Sequence, residues 1–215
     1  LPDNLLSEAW YWMAWVIWVP SFAFSVLRAP WRRLASDERM NVWCGMIVLL
    51  TLLWSLKAGV KPGLGLHLLG ATVFTLSFGP ALAFVGLSLV MLGICINIGD
   101  GYFAYALNSL LMAGVGVAIS HGLYRLFSHF LPKHFFVYIF VNGFFVAALS
   151  VLGVGGLVCL LLAVAEAYAW EYLLTEYLPY FLLLGFAEAW ISGMVMTLFV
   201  IYRPEWVSTF DDTSY

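Results

Sequence analysis

A few polar side chains stand where an otherwise apolar chain has no evident need of them. His67 lies in "LGLHLLGATVF" (Leu64 to Phe74), near the start of an uncharged run from Pro62 to Gly99. Glu188 lies in "GFAEAWISG" (Gly185 to Gly193), Asp100 in the Gly-Asp-Gly turn from Gly99 to Gly101, and Asn108 and His121 further along. An ionisable group inside lipid costs roughly 2.5–3.5 kcal/mol on insertion scales, which makes each a functional candidate. Each also has a structural reading. His67 could donate to a backbone carbonyl freed by Gly63 or Gly65. Glu188 could be protonated and bond across helices. Both alternatives stay open at this point. Asp100, flanked by glycines, reads first as a turn former that caps the next helix. His121, His129 and His134 read as interfacial residues.

Two kinds of chemistry are absent. Lys57, Lys61 and Lys133 do not follow a glycine-rich loop, so no phosphate-cradling Walker A motif is present. Ser192 in "WISGM" (Trp190 to Met194) lacks the Gly two residues before it, and no histidine follows in a later span. An enzyme is therefore not expected.

The elements that must position these residues are membrane spans. Hydrophobic residues make up 64% of the 215-residue chain and charged residues only 10%, against about a quarter charged in a soluble domain. Ten tryptophans and eleven tyrosines suit the bilayer interface. The net charge of −3 and the lack of any basic–aromatic motif exclude a nucleic-acid partner. Cys44, Cys95 and Cys159 are far apart in apolar runs and read as small buried hydrophobes, neither a disulfide set nor a metal cluster. The acidic start (Asp3, Glu8) does not resemble a cleavable signal peptide. The chain begins at Leu1 without an initiator Met, which predicts that its first residues are missing.

A crossing helix takes about 20 apolar residues. This predicts an all-α, polytopic integral membrane bundle, a single transmembrane domain over 1–215 with spans near 10–27, 40–56, 63–78, 81–98, 103–124, 135–165 and 180–202. Pro20 is an expected kink, and Gly79-Pro80 divides the third span from the fourth. The stretch 135–178 reads either as one long crossing with an amphipathic end or as two short ones. Arg28, Arg32, Arg33 and Arg39 mark the first loop as cytoplasmic, which puts the N-terminal segment 1–9 outside. Arg125, Lys133 and Arg203 also fall inside if 135–165 crosses once, and the acidic stretch Glu166 to Tyr177 falls outside. Lys57 and Lys61 run against the asymmetry. On this topology His67, Asp100 and Glu188 lie in the outer leaflet or mid-membrane. Gly114, Ala118 and Gly122 form a small-residue stripe for close helix packing, inside the bundle or against a partner.

The residues "HLLGA" (His67 to Ala71), "FGP" (Phe78 to Pro80) and "GDG" (Gly99 to Gly101), followed by Asn108 and Met112, resemble the cobalt/nickel family of energy-coupling-factor transporter membrane components, the CbiM-like group. "EAWISGMVMTLFVIYRPEWV" (Glu188 to Val207) resembles that family's last helix. "LPDNLLS" (Leu1 to Ser7) resembles its Met-His-Ile-Pro-Asp-Gly opening without the first residues. The likeness runs in order over most of the chain.

The resemblance implies a substrate-capture membrane subunit of an importer in the plasma membrane, taking Ni²⁺ or Co²⁺ from outside. A separate scaffold membrane subunit and paired ATPases would drive it. It implies that His67 is a metal ligand, alongside an N-terminal amine and a second-position His. Residues Leu1 to Leu6 would plug back into the bundle. Asn108, Glu188 and Asp100 would support the site. Imidazole suits such metals. The chain departs from the family pattern in two places: no second-position His is present, and no His precedes Glu188 in "YFLLLGFAE" (Tyr180 to Glu188). These departures carry an alternative, a non-transporting membrane scaffold or accessory protein that keeps the fold.

Overall fold

The structure is a computed structural model and describes residues 1–56, 58–59, 61 and 63–211. Lys57, one of the two exceptions to the charge asymmetry, and Pro62, where the uncharged run begins, lie outside these residues.

Among the described residues, eight α-helices build the bundle. They are α1 (Glu8–Arg28), α2 (Asp37–Ser55), α3 (Ala71–Phe78), α4 (Pro80–Ile98), α5 (Tyr105–Phe130), α6 (Phe135–Val164), α7 (Trp170–Glu176) and α8 (Leu178–Tyr202). Five of them, α1, α4, α5, α6 and α8, are long and apolar enough to cross a membrane. The chain is an all-α polytopic membrane bundle. Helix α2 carries Asp37 and Glu38 in its first turn behind the N-cap Ser36, whose hydroxyl accepts from Arg39 N at 3.4 Å. Those charges suit a helix start. Helix α4 begins with Pro80 and ends at Gly99 in a left-handed conformation, the usual placement of each residue. Both α5 and α6 contain a π-helical stretch, Ser109–Val115 and Tyr138–Phe145.

The third expected span is different from a simple crossing. Of residues 63–78 only Ala71–Phe78 is helical, about 12 Å of helix and too short to cross alone. Residues 64–70 form an extended limb, part of which pairs as a two-residue hairpin, Ala58↔Leu66 and Gly59↔Gly65. Gly63 and Gly70 adopt φ of 78° and 68°, and these left-handed turns end helical propagation on either side of the limb. Gly79-Pro80 ends α3, as expected. The ambiguous stretch resolves into one helix over Phe135–Val164, followed by the short α7.

The three basic sites lie at one end of the bundle. Arg203, just after α8, pairs with Glu38 at the start of α2 at 3.5 Å, and Trp206 Nε1 donates to the same carboxylate at 3.0 Å. The segment after α8 turns back beneath α3. Ser208 N donates to Ser77 O at 3.0 Å and Thr209 N to Leu76 O at 3.3 Å. Tyr124 of α5, next to Arg125, donates to Thr209 O at 3.0 Å. His129 and His134 sit at this end too. His129 is exposed, and His134 caps α6 through Nδ1, which accepts from Phe136 N at 3.2 Å.

One packing expectation needs correction. Cys44 is exposed on α2, while Cys95 and Cys159 are buried. Within the small-residue stripe only Gly114 meets a neighbour, the Phe84 ring; Ala118 is exposed and a Cβ on Gly122 would meet nothing within 4 Å. The buried face of α5 is instead Ala113, Gly116, Val117 and Ser120, at the spacing of one helix side.

Candidate functional site

At the end remote from the arginines, the extended limb, α2, α4, α5 and the first residues of the chain enclose a cavity of about 420 Å³. Leu1, His67, Asp100 and Asn108 all line it, with Trp54, Met91, Cys95 and Met112. Three of the four site residues picked from the sequence thus meet at one place. The fourth, Glu188, is not among the lining residues.

His67 is held in two ways. Its ring lies on Trp54, with centroids 4.5 Å apart and planes at 38°. Its Nδ1 is 3.1 Å from Leu68 O. A carbonyl can only accept, so Nδ1 carries the proton in this contact, which in the neutral form of the ring leaves the lone pair on Nε2. His67 thus donates to backbone, but to Leu68 O rather than to a carbonyl freed by Gly63 or Gly65. The same bond fixes the tautomer that ligating histidines use.

Glu188, in the middle of α8 and only 3% exposed, acts on the limb that carries His67. Its two oxygens accept the N–H groups of Leu69 at 2.7 Å and Gly70 at 2.6 Å. Ser192, one turn on, donates to Glu188 at 3.4 Å. Extended backbone inside an apolar bundle cannot satisfy its own N–H groups. The carboxylate does so here, from 118 residues away. A Cβ on Gly70 would come within 2.5 Å of a Leu50 methyl, which would have to shift.

Asn108, 6% exposed, grips the first residue from both sides. The Leu1 nitrogen donates to Asn108 Oδ1 at 2.6 Å, and Asn108 Nδ2 donates to Leu1 O at 2.9 Å. Tyr11, fully buried, donates to Pro2 O at 2.8 Å and accepts from Leu6 N at 3.1 Å. Asp3 accepts from Ala104 N, at the start of α5, at 2.7 Å.

That last contact revises the reading of Asp100. The left-handed positions of its turn are Gly99 and Gly101, at φ of 75° and 82°. Asp100 accepts from Gly101 N at 2.7 Å and does not cap α5; Asp3 reaches that helix start instead. His121, on α5, lies outside the cavity, and its ring faces Tyr124 at 6.5 Å.

Sequence reasoning missed the sulfur atoms. Cys95 donates to Gly101 O at 3.4 Å beside the cavity, and Met91 sits one turn before it. That i, i+4 spacing into the Gly-Asp-Gly turn was the available signal. It also missed Lys61, which lines the cavity with its Nζ 4.2 Å above the Tyr172 ring of α7. Among the described residues, no three His, Cys, Asp or Glu side chains cluster to hold a metal ion. Besides Lys61, the cavity holds the nitrogens of the His67 imidazole and of Leu1, and the Asn108 amide offers its oxygen.

Two solved structures have a similar fold. One, a truncated transition metal transporter, superposes with a TM-score of 0.74 at 21% identity, covering 94% of this chain and 98% of that one. The other, a transition metal transporter, gives a TM-score of 0.69 at 21% identity, covering 92% and 90%. No curated protein sequence matches the chain. The family model described as CbiM, cobalt uptake substrate-specific transmembrane region, matches residues 1–206. That match takes in the limb with His67, the Gly-Asp-Gly turn, Asn108 and the helix of Glu188, and the chain belongs to the CbiM family.

Proposed function

We propose that this protein is the substrate-capture membrane subunit of an energy-coupling-factor importer for a divalent transition metal, Co²⁺ or Ni²⁺, in the plasma membrane. The observation that carries this reading is the convergence of His67, Leu1 and Asn108 on one cavity, from positions 107 residues apart in the case of Leu1 and Asn108. His67 ligates the ion through Nε2. The nitrogen at Leu1 lies in the same cavity, so any residue joined ahead of it would enter the cavity beside His67. Glu188 is a positioning residue that fixes the limb carrying His67, and Asp100 adds negative charge at the cavity. Nitrogen donors with sulfur nearby suit cobalt and nickel better than magnesium or calcium.

The cavity opens on the outer face, and the arginine-rich end faces the cytoplasm. In this reading separate subunits hydrolyse ATP and act with a scaffold membrane subunit, and the lack of a phosphate cradle in the sequence agrees with that division. Cobalt and nickel binding to the purified full-length protein tests the reading. His67→Ala should lose the tight site, by about 10- to 100-fold in affinity. Equal binding in the two proteins would refute the ligand role.

One observation favours a second reading, a non-transporting accessory subunit that keeps the fold. The described residues hold no three-residue His, Cys, Asp or Glu cluster. That reading expects no cobalt or nickel binding by the purified full-length protein.

A further inference from the structure

A second, smaller cavity of about 140 Å³ lies at the opposite end, between α5, α6 and the segment that follows α8. Tyr124, Ser128, Tyr138, Asn142, Thr209 and Asp211 line it, and Lys133 stands among them. Asn142 is 4% exposed and sits in the π-helical stretch of α6, a deviation that often marks a functional position. Its Oδ1 is buried and finds no hydrogen-bond donor among the described residues, and the same is true of Ser128 Oγ. A buried amide oxygen without a partner costs about 1–3 kcal/mol in the absence of a ligand, so it points to one.

The acceptors define the ligand. Amide and hydroxyl oxygens line the space, and an anion would meet the unpartnered Asn142 Oδ1 with repulsion. A hydrated cation presents water protons to such oxygens, or takes them directly as hard ligands. At about 30 Å³ per water, the space holds an ion with part of its water shell.

The position matters as well. Helix α3 joins the two cavities: the limb with His67 leads into its N-terminus. Its last carbonyls are held by residues 208–209, with Thr209 Oγ1 donating to Leu76 O at 2.9 Å. Buried hydroxyls follow the helix between them. Thr72 and Ser120 lie 2.8 Å apart, Ser120 and Ser150 3.1 Å, and the buried hydroxyls of Thr75 and Ser77 find no hydrogen-bond partner among the described residues.

We propose that the second cavity is a low-affinity, oxygen-donor site for the divalent cation, a release station at the far end of α3. The proposal rests on the reading of the His67 cavity as the capture site. An ion held by imidazole at entry and by oxygens at exit binds tightly enough to be captured and weakly enough to leave.

Manganese, which favours oxygen ligands, separates the two sites. The purified full-length protein is titrated with Mn²⁺ by electron paramagnetic resonance, and in parallel with Co²⁺ by optical absorption. One Mn²⁺ should bind with a dissociation constant on the order of 10⁻³ M. Asn142→Leu should weaken Mn²⁺ at least about tenfold and leave Co²⁺ binding unchanged. His67→Ala should do the reverse. Lys133→Met should tighten Mn²⁺ binding, because it removes a like charge. If Asn142→Leu does not fold, as judged by lost Co²⁺ binding, Asn142→Ala and Ser128→Ala take its place. No Mn²⁺ bound, or Mn²⁺ binding indifferent to all of these substitutions, overturns the release site. A missing His67-dependent Co²⁺ site overturns the capture reading while leaving the Mn²⁺ result to stand by itself.

Discussion

The Glu188 carboxylate accepts the backbone N–H of Gly70 at 2.6 Å and of Leu69 at 2.7 Å, and so anchors the non-helical limb that carries His67. An intramembrane carboxylate reads equally well as a ligand or as a structural bond. Here its position behind the limb, with both oxygens engaged, gives it the second role in the service of a site. Its burial and the buried backbone it serves offset each other, because neither is satisfied without the other.

Removing the carboxylate should therefore be costly. Glu188→Ala leaves two buried N–H groups unpaired, at about 1–3 kcal/mol each. Glu188→Gln keeps one carbonyl oxygen and should cost about half as much. Thermal unfolding in detergent measures the difference. Cobalt affinity should fall in the same order if the limb positions His67, whereas a purely structural carboxylate would lower stability and leave affinity alone.

Gly70 offers a complementary test of the limb. Alanine at its φ of 68° costs about 1–2 kcal/mol for left-handed geometry, and the added Cβ must displace Leu50. Gly70→Ala should lower stability by at least that amount. Gly45→Ala on α2, where a Cβ meets nothing within 4 Å, should be neutral or stabilising by up to about 1 kcal/mol. Similar losses in both would show that left-handed geometry at Gly70 is not what matters.

Most of the scaffold was legible because lipid imposes a simple length rule. The expected 10–27, 81–98 and 135–165 match Glu8–Arg28, Pro80–Ile98 and Phe135–Val164 within about two residues, and Gly79-Pro80 marked the turn between α3 and α4. The limb at 64–70 was hidden for a physical reason. Hydropathy counts apolar side chains and says nothing of backbone N–H groups, and the group that satisfies them is a carboxylate on a distant helix. His67, Asp100 and Asn108 were legible as polar residues out of place. Cys95 was missed, because its apolar run reads as core and only its spacing from Met91 into the Gly-Asp-Gly turn sets it apart. Asp3 was missed as the contact at Ala104 N because its target lies 101 residues away.

The grip of Asn108 on Leu1 should control the N-terminal segment. Asn108→Ala loses both bonds, which together contribute about 1–3 kcal/mol, and frees the first residues from the cavity. Amide exchange at Leu6, whose N–H donates to Tyr11, should quicken as the segment loosens. Asn108→Asp keeps an acceptor for the Leu1 nitrogen and loses only the donor to Leu1 O, so its exchange should lie between wild type and alanine. Unchanged exchange at Leu6 in both variants would mean that Tyr11 and Asp3 hold the segment without Asn108.

The segment after α8 is the counterpart at the other end. Thr209 Oγ1 has one proton and gives it to Leu76 O at 2.9 Å. The 2.6 Å contact with Tyr138 must then be donated by the tyrosine. Thr209→Val is close in shape and removes both bonds, leaving the Tyr138 hydroxyl without that acceptor, at about 1–2 kcal/mol. Tyr138→Phe removes one bond and the donor with it, so it should cost less. Because the two residues share a bond, the double variant should be less destabilised than the sum of the single ones, by about 0.5–1.5 kcal/mol. Thermal unfolding gives the three values, and cleavage after Glu205 by a glutamate-specific protease reports whether the segment has come away. Strict additivity, with cleavage no faster than in wild type, would mean that Val207 and Phe210, both buried, hold the segment by packing alone.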